Sequence, residues 1–524
     1  MKKLFLLMTL ASAASSQKFY GDDPLMVEPK MLNVKEATNR KLSDYFDLFS
    51  NQFGKVGERH PKSGPPIRAK AVNTLGEPMD GAWWERRHYY KRMSAEELKR
   101  GPGNTSQPTP DMKWTITAVK AEGVTPGFTI RDGKDRLYFI KFDPLKNPEM
   151  ASTSDAVVSR IFYALGYHVP ENDVIHLSPD RLVIGPEVRV PGKKGVLRPM
   201  TQEDLLLIFA KVPKGKDGKY RATASLALPG KPIGPPRYYG TRTDDPNDIV
   251  PHEHRRDVRG LHVIAAWLDH DDSRAINNLD ILYKEGELQY VKHYMLDFGS
   301  TLGSGTEVAN SARSGSYFFT WKESAKQMFT LGLMPPYWAF SKYPDFPSVG
   351  RFEFKTFDPE RWVPEYPNSA FLNRLPDDEF WGAKLVTAFT DEDLRTLVSV
   401  GELSDPKAAE WILKCLIERR NKIGKAYFVK VLPLDQFEFQ GGELKWVDLG
   451  AKLGYQPEAT VSLQWFAFDN DAEKKTPLAG QTGRSPTKPV EGYYGATLTN
   501  SNNPKQTIDV FLRGQTIVGI DRTW

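Results

Sequence analysis

The 524-residue sequence holds one cysteine, Cys415. A lone thiol closes no internal disulfide, so stability has to come from packed cores. Cys415 falls in Ala408-Ala-Glu-Trp-Ile-Leu-Lys-Cys-Leu-Ile, a helical apolar pattern that suits a small core residue better than a nucleophile. Long apolar runs are also missing: none approaches the ~20 residues of a membrane-crossing helix. Charge of one sign is scarce. Lys and Arg number 71 against 66 Asp and Glu, and the excess of +5 is spread along the chain. That leaves no polybasic block and no nucleic-acid footprint. Neither G-x-S-x-G nor H-E-x-x-H occurs, which removes the usual signatures of secreted serine and zinc hydrolases. There is no internal repeat.

What is present begins with an export signal. Lys2 and Lys3 form a positive n-region, Leu4 to Ala11 a short apolar h-region, and Ala11-Ser12-Ala13 an A-x-A cleavage pattern, with Ala14-Ser15-Ser16 as a second option. No cysteine lies at the cleavage site, which argues against a lipid anchor. Residues 1–16 are therefore read as a signal peptide, and the mature chain as a secreted or periplasmic protein. Its length predicts two or three domains.

Residues 17–110 are rich in Pro, Gly and charge. They read as an irregular N-terminal wrap with helices at Lys35–Phe53 and Ser94–Arg100, then a linker at Pro102–Pro110. Strands follow at Trp114–Lys120, Phe128–Arg131 and Leu137–Phe142, a helix at Ser154–Leu165 ending on Gly166, and strands at Val174–Leu177 and Arg181–Ile184. Further on, Glu203–Val212 and Arg255–Leu268 read as helices and Tyr220–Leu228 as a strand. Between them Pro229–Pro251 is a long loop. Ile281–Tyr283 and Tyr290–Leu296 pair across Lys284-Glu-Gly-Glu. Residues 305–370 are irregular and aromatic-rich, and helices return at Asp377–Phe389, Asp391–Val400 and Pro406–Phe428. From about Leu432 the alternation is all β and predicts a small sandwich-like domain.

Four elements carry chemistry. In Glu122-Gly-Val-Thr-Pro-Gly-Phe, between two strands, Gly123 and Gly127 let backbone N–H groups approach a polyphosphate without Cβ obstruction; the plain alternative is a hairpin turn. Lys141, in Tyr138-Phe-Ile-Lys-Phe-Asp, is a charge inside an apolar strand and calls for a partner, unless it faces solvent on an edge. In Asp269-His-Asp-Asp-Ser-Arg-Ala-Ile-Asn-Asn-Leu-Asp, Asp272 and Asn277 stand five positions apart. One loop can thus offer a carboxylate to a hydroxyl and an amide oxygen to a metal ion; otherwise it is a solvated acidic loop. An EF-hand is excluded, since its glycine and bidentate Glu are missing. Last, Tyr294-Met-Leu-Asp-Phe-Gly places Asp297 at a strand's end, where a carboxylate binds the Mg²⁺ that bridges phosphates.

Glycine loop, strand lysine, helix, D-x-x-x-x-N loop, hairpin and D-F-G follow the order of the protein-kinase-like fold. Over roughly residues 112–430 the chain resembles its atypical branch: phosphoinositide lipid kinases, bacterial persistence-toxin kinases and spore-coat-type secreted kinases. The resemblance implies an α+β, two-lobed core, with a β-rich lobe at 111–200, a larger, mainly helical lobe at 201–431, and the all-β domain at 432–524. It implies ATP and Mg²⁺ as cofactors. Lys141 is then a phosphate ligand, Asp272 the catalytic base, Asn277 and Asp297 the metal ligands, and Gly123 and Gly127 the phosphate loop. His270-Asp271-Asp272 replaces His-Arg-Asp, so Asp271 is an alternative base and Asn278 an alternative ligand. Asp155 is the candidate to orient Lys141, and equally an N-cap. The expected activity is phosphoryl transfer to a hydroxyl acceptor, with nucleotidyl transfer left open. The rival is an inactive pseudokinase that binds or builds part of the envelope, with the β tail as the candidate contact. His252 and His254 suit a structural role better than a metal site. Trp83-Trp84 and the aromatics of 321–362 are expected to be buried anchors rather than a sugar groove.

Overall fold

A computed structural model describes residues 17–103, 107–120, 125–192, 195–486 and 491–524. The protein is mixed α+β and divides into two compact units. The larger comprises residues 26–72 and 78–430. The smaller comprises 73–77, 431–524 and the described part of the first 25 residues. Among the described residues no helix is long and apolar enough to cross a membrane. Residues 1–16, the proposed signal peptide, lie outside the described residues.

The larger unit opens with helix α1 (Asp44–Gln52), shorter than Lys35–Phe53, and α2 (Ala95–Arg100). Ser94 caps α2 with a reciprocal Ser94–Glu97 capping box. Strands β1 (Trp114–Val119), β2 (Gly127–Arg131) and β3 (Leu137–Phe142) lead to helix α3 (Met150–Ala164). Then come β4 (Asn172–Leu177), β5 (Leu182–Ile184), the small pair β6 (Arg189–Pro191) and β7 (Leu197–Pro199), helix α4 (Gln202–Phe209), and β8 (Tyr220–Leu226). Six of these strands form one sheet in the order β4-β8-β3-β2-β1-β5, antiparallel except at β1–β5.

Alternation decides which face does what. On β3, Tyr138, Ile140 and Phe142 enter a cluster with Ile116, Phe128, Leu177 and α4's Phe209. Lys141 points to the opposite face, towards α3. There its neighbours on β2 and β8 are Gly127 and Thr223.

After β8, the loop of 229–251 contains the two-residue strand β9 (Lys231–Pro232). Helix α5 (Arg256–Leu268) is buried along its whole length. It crosses α8 (Pro376–Thr387) at a glycine contact: a Cβ on Gly260 would stand 2.4 Å from the Trp381 ring, and one on Gly382 would stand 2.7 Å from the Gly260 carbonyl. Strands β10 (Asn278–Glu285) and β11 (Leu288–Met295) pair from Asn278↔Met295 onward, a longer hairpin than the sequence suggests. Helices α6 (Trp321–Phe329), α7 (Ser369–Leu372), α9 (Asp391–Ser399) and α10 (Pro406–Tyr427) complete the unit. Cys415 is buried on α10, and burial pushes its thiol well above the usual range.

The smaller unit holds a five-stranded antiparallel sheet, ordered β15-β14-β16-β17-β18. Its strands are β14 (Val461–Asp469), β15 (Lys474–Pro477), β16 (Tyr493–Asn500), β17 (Thr507–Arg513) and β18 (Thr516–Thr523). A hairpin, β12 (Leu434–Gln440) and β13 (Glu443–Asp448), and the short helix α11 (Leu449–Lys452) precede it. Leu434 and Leu444 of the hairpin cluster with Trp465, Leu498 and Val510 of the sheet. Phe19 packs with a separate set, Phe466, Phe468, Phe511 and Val518.

Candidate functional site

Helix α5 aims the site. Its last carbonyls, Ala266 and Trp267, accept from the Arg419 guanidinium of α10 at 2.6 and 2.9 Å. Asp269 then breaks the helix in the left-handed region (φ 54°) and is held by Trp362 Nε1 and Ser314 Oγ, both at 3.0 Å. The loop that follows carries Asp271, Asp272, Arg274, Ile276 and Asn277 into a cleft of about 560 Å³. Lys120, Lys141, Asp155, Asp297 and Ser300 line the same cleft.

Lys141 is the centre of this arrangement. Its Nζ donates to Asp297 Oδ1 at 2.9 Å and lies 4.0 Å from Asp155 Oδ2. Burial alone would lower this ammonium's pKa, but the Asp155 and Asp297 carboxylates outweigh it and raise it well above the usual value. Asp297 responds in kind: Lys141 holds its carboxyl below the ordinary range. Asp155 goes the other way. Burial pushes it up to about 6 despite Lys141. Its Oδ1 is buried and has no hydrogen-bond partner among the described residues.

Asp155 is not an N-cap. Helix α3 starts at Met150, with Glu149 at the cap in the left-handed region (φ 68°) and no side-chain cap, so Asp155 sits inside the second turn. The early start is hidden in sequence because Ser152 and Thr153 serve tertiary partners. Asp143 accepts from Ser152 N at 2.9 Å and Oγ at 2.6 Å, and Arg221 donates to Ser152 Oγ and Thr153 Oγ1.

Asp297 is itself in the left-handed region (φ 56°, ψ 55°), a conformation that costs an L-residue of order 1 kcal/mol and that Asp tolerates better than most. What holds it there is Phe298. Fully buried, its ring packs 4.9 Å from Phe162 of α3 and 6.2 Å from His270. The chain thus turns Asp297 outward while anchoring the next side chain in the core.

On the facing loop, Asn277 Nδ2 donates to the Asp272 carbonyl at 2.8 Å, and the residue lines the cleft. Asn278 is buried and donates to Tyr238 Oη at 2.8 Å and the Arg274 carbonyl at 2.9 Å, so it serves the loop's own structure. Asp271 and Asp272 both line the cleft. Burial raises Asp271, with the Asp269 carboxylate adding to the effect. Burial also raises Asp272, against the opposing pull of Arg274. Arg274 Nε donates to Asp272 Oδ1, its Nη1 to Asp44 Oδ1 of α1 at 2.6 Å, and its Nη2 to Glu365 at 3.4 Å.

Gly123 lies outside the described residues. Gly127 is present at the start of β2, but it does not line the cleft; a Cβ there would meet the Ile140 carbonyl at 2.3 Å, so the neighbouring strand is what requires glycine. Three participants had not been singled out in the sequence. Lys120, at the end of β1, is a second cleft ammonium, lowered by burial and by Lys141. It donates to Thr125 Oγ1 at 2.9 Å. Arg274 and Asp44 are 230 positions apart, and nothing local announces their pairing.

The donor set fits a nucleotide polyphosphate with a hard divalent cation. Two ammonium groups face the cleft, and Asp297 and Asn277 offer oxygen ligands of the kind Mg²⁺ prefers. The described lining residues include five carboxyl groups and four cationic side chains, and burial pushes one of the five, Asp271, up to about 8.

The other sequence candidates are structural. His252 Nε2 lies 2.8 Å from Asp248 and His254 Nε2 2.8 Å from Glu58, in separate hydrogen-bonded pairs. Trp83 and Trp84 are buried as expected, and so is Trp362; Trp321 and Phe340 are exposed, against expectation.

No family model matches this chain, and no curated protein matches it. Among solved structures it is similar to a Helicobacter pylori proinflammatory kinase, CtkA, at 12% identity and a TM-score of 0.32, over 61% of this chain and 98% of that one.

Proposed function

We propose that this chain is an exported, ATP- and Mg²⁺-dependent phosphotransferase with a two-lobed, protein-kinase-like core and a sandwich-like β tail, acting on a hydroxyl acceptor. One observation carries the reading. Lys141, from the strand sheet, is clasped by Asp297 and Asp155 in the cleft that the Asp272–Asn277 loop also enters. In this reading Lys141 and Lys120 hold phosphate oxygens, and Asp155 keeps Lys141 in place. Asn277 and Asp297 would hold Mg²⁺, which when bound neutralises developing phosphate charge. Asp272 accepts the proton of the acceptor hydroxyl, with Asp271 as the alternative base. Gly123 belongs to the loop over the phosphates, while Gly127 serves the packing of β2 against β3. Catalysis is positioning and electrostatics.

The test is direct. ATP with Mg²⁺ should raise the melting temperature of the protein, and Asp297→Ala should abolish that shift. Labelled ATP and mass spectrometry then identify whether phosphoryl or nucleotidyl groups are transferred. No nucleotide-dependent shift in the wild type sinks the reading.

A second reading has its own support. Arg274 donates to Asp272 Oδ1 and pulls against that carboxylate's basicity, which suits a binding protein built on an inactive kinase-like fold. Nucleotide binding without transfer to any acceptor, in wild type and Arg274→Ala alike, would favour it. The protein would then serve the envelope through binding, with the β tail as a candidate contact.

A further inference from the structure

Residues 316–347 include no buried residue. A polar segment would explain that easily, but this one is rich in large apolar side chains. Trp321 is 75%, Phe329 81%, Leu331 90% and Leu333 84% exposed, and Phe318, Met328, Met334 and Phe340 are exposed too. Scattered single exposed apolar residues mean little, whereas a contiguous set marks an interaction surface.

The pattern is ordered. On α6, Trp321, Ala325, Met328 and Phe329 recur at i, i+4, i+7 and i+8, one helical stripe, while Lys322, Lys326 and Gln327 fall on another. Leu331 (φ 49°) and Gly332 (φ 79°) then turn the chain, closed by Gly332 N donating to the Gln327 carbonyl at 3.0 Å. Helix α1 lies alongside: Gln52 Nε2 donates to the Phe319 carbonyl at 3.4 Å, and α1 exposes Tyr45, Phe46 and Phe49.

We propose that this segment docks the protein on an anionic lipid bilayer, with α6 in the plane of the interface and Trp321, Phe329, Leu331 and Leu333 in the acyl boundary. Side chains that stand this far clear of the surface suit a medium that closes around each of them. The charge is weakly complementary as well: residues 316–347 hold three lysines, Lys322, Lys326 and Lys342, against Glu323 and Asp345. A short helix with Trp321, Met328 and Phe329 on one stripe and lysines bordering it, followed by exposed leucines, is the form interfacial segments take. The surface adjoins the cleft, since Arg313, which lines it, donates to the Phe318 carbonyl at 3.1 Å. Docking therefore brings the cleft to the headgroup layer. The inference stands whether or not the cleft transfers phosphate.

The test is sedimentation of the full chain with phosphatidylcholine vesicles containing about a third phosphatidylglycerol, against pure phosphatidylcholine. The wild type should pellet with the anionic vesicles, less so as salt rises. The triple variant F329D/L331D/L333D should keep its circular dichroism spectrum and melting curve and bind at least about tenfold more weakly. Wild type left in the supernatant overturns the proposal. So does a triple variant that pellets like wild type, because another segment, residues 1–16 included, then carries the binding. A wild-type dimer in ultracentrifugation that the triple variant dissociates also overturns it, assigning the surface to a second copy.

Discussion

Of two groups of charges in the larger unit, one is taken out of water and the other only in part, and they differ in how they are closed. Arg242 is almost fully buried and engages Asp280 at 3.1 Å, Asp244 at 2.9 Å and the carbonyls of Ile233 and Thr38. Asp280 also accepts from His293 Nδ1 at 2.7 Å, and the His293 ring stacks on Trp83 at 3.7 Å. Lys141, Asp155 and Asp297 form a similar triad, but it opens onto a 560 Å³ cleft and leaves a buried Asp155 oxygen unmatched. The closed group ties the irregular N-terminal segment and the 229–251 loop to the β10–β11 hairpin. Each group holds one buried polar atom without a hydrogen-bond partner, Arg242 Nε in the first and Asp155 Oδ1 in the second. Burial of charge alone does not separate structure from function; the adjoining cleft, which gives a ligand access to the open group, does.

That contrast can be broken by substitution. The largest effect should come from Asp280→Ala, which leaves Arg242 and His293 buried without their shared anion. Loss of one partner from a buried pair costs about 3–5 kcal/mol, so the melting temperature should fall steeply, while the folded fraction keeps its nucleotide response. If Asp280→Ala melts like wild type, the closed network is not structural. Lys141→Met should do the reverse: a modest stability change, since its side chain is 29% exposed, and loss of the ATP–Mg²⁺ thermal shift.

Asp155→Asn tests the open triad by pH. Burial lifts Asp155 to about 6. A carboxyl raised on folding favours the folded state below its unfolded pKa, and that advantage disappears as pH rises through the folded value. Wild type therefore loses stability from this group between about pH 4 and pH 6, and the Asn variant does not. The difference in melting temperature, variant minus wild type, should grow from pH 4 to pH 7. A flat difference would mean that Asp155 ionises as an ordinary surface carboxyl does.

The sequence made the strand face of this site easier to read than its surroundings. Leu137–Phe142 alternates cleanly, so both the strand and the oddity of Lys141 within it are visible. Helix α3 was harder: its first turn is Met-Ala-Ser-Thr, without a capping signal, because those hydroxyls bond to Asp143, Arg221 and Gly401. Reading the helix from Ser154 made Asp155 look like a cap. The Lys35–Phe53 helix was overextended because its first half is held by long-range bonds, such as Thr38 N to Asp244, rather than by helical ones. Helix α6 escaped notice in an aromatic-rich stretch since apolar residues there face outward, the opposite of what periodicity is normally used to find. Lys120 and Arg274 joined the cleft through tertiary pairing, which leaves no local period.

The smallest effects separate two adjacent asparagines that sequence alone could not rank. Asn278 is buried against Tyr238 Oη and two backbone carbonyls. Asn278→Ala removes those bonds and leaves buried acceptors unmatched, a cost of about 1–3 kcal/mol. Asn277 is partly exposed, and its side chain bonds within its own loop, donating to the Asp272 carbonyl. Asn277→Ala should cost no more than about 1 kcal/mol of stability and yet weaken the Mg²⁺-dependent part of nucleotide binding. Titrating Mg²⁺ at fixed ATP reads that part separately from the melting temperature. If Asn278→Ala alone shifts the Mg²⁺ titration, the ligand assignment moves by one residue and the loop must rearrange on binding. If neither does, Asp297 holds the cation without help from this loop, and the D-x-x-x-x-N spacing is a feature of the loop's fold rather than of its chemistry.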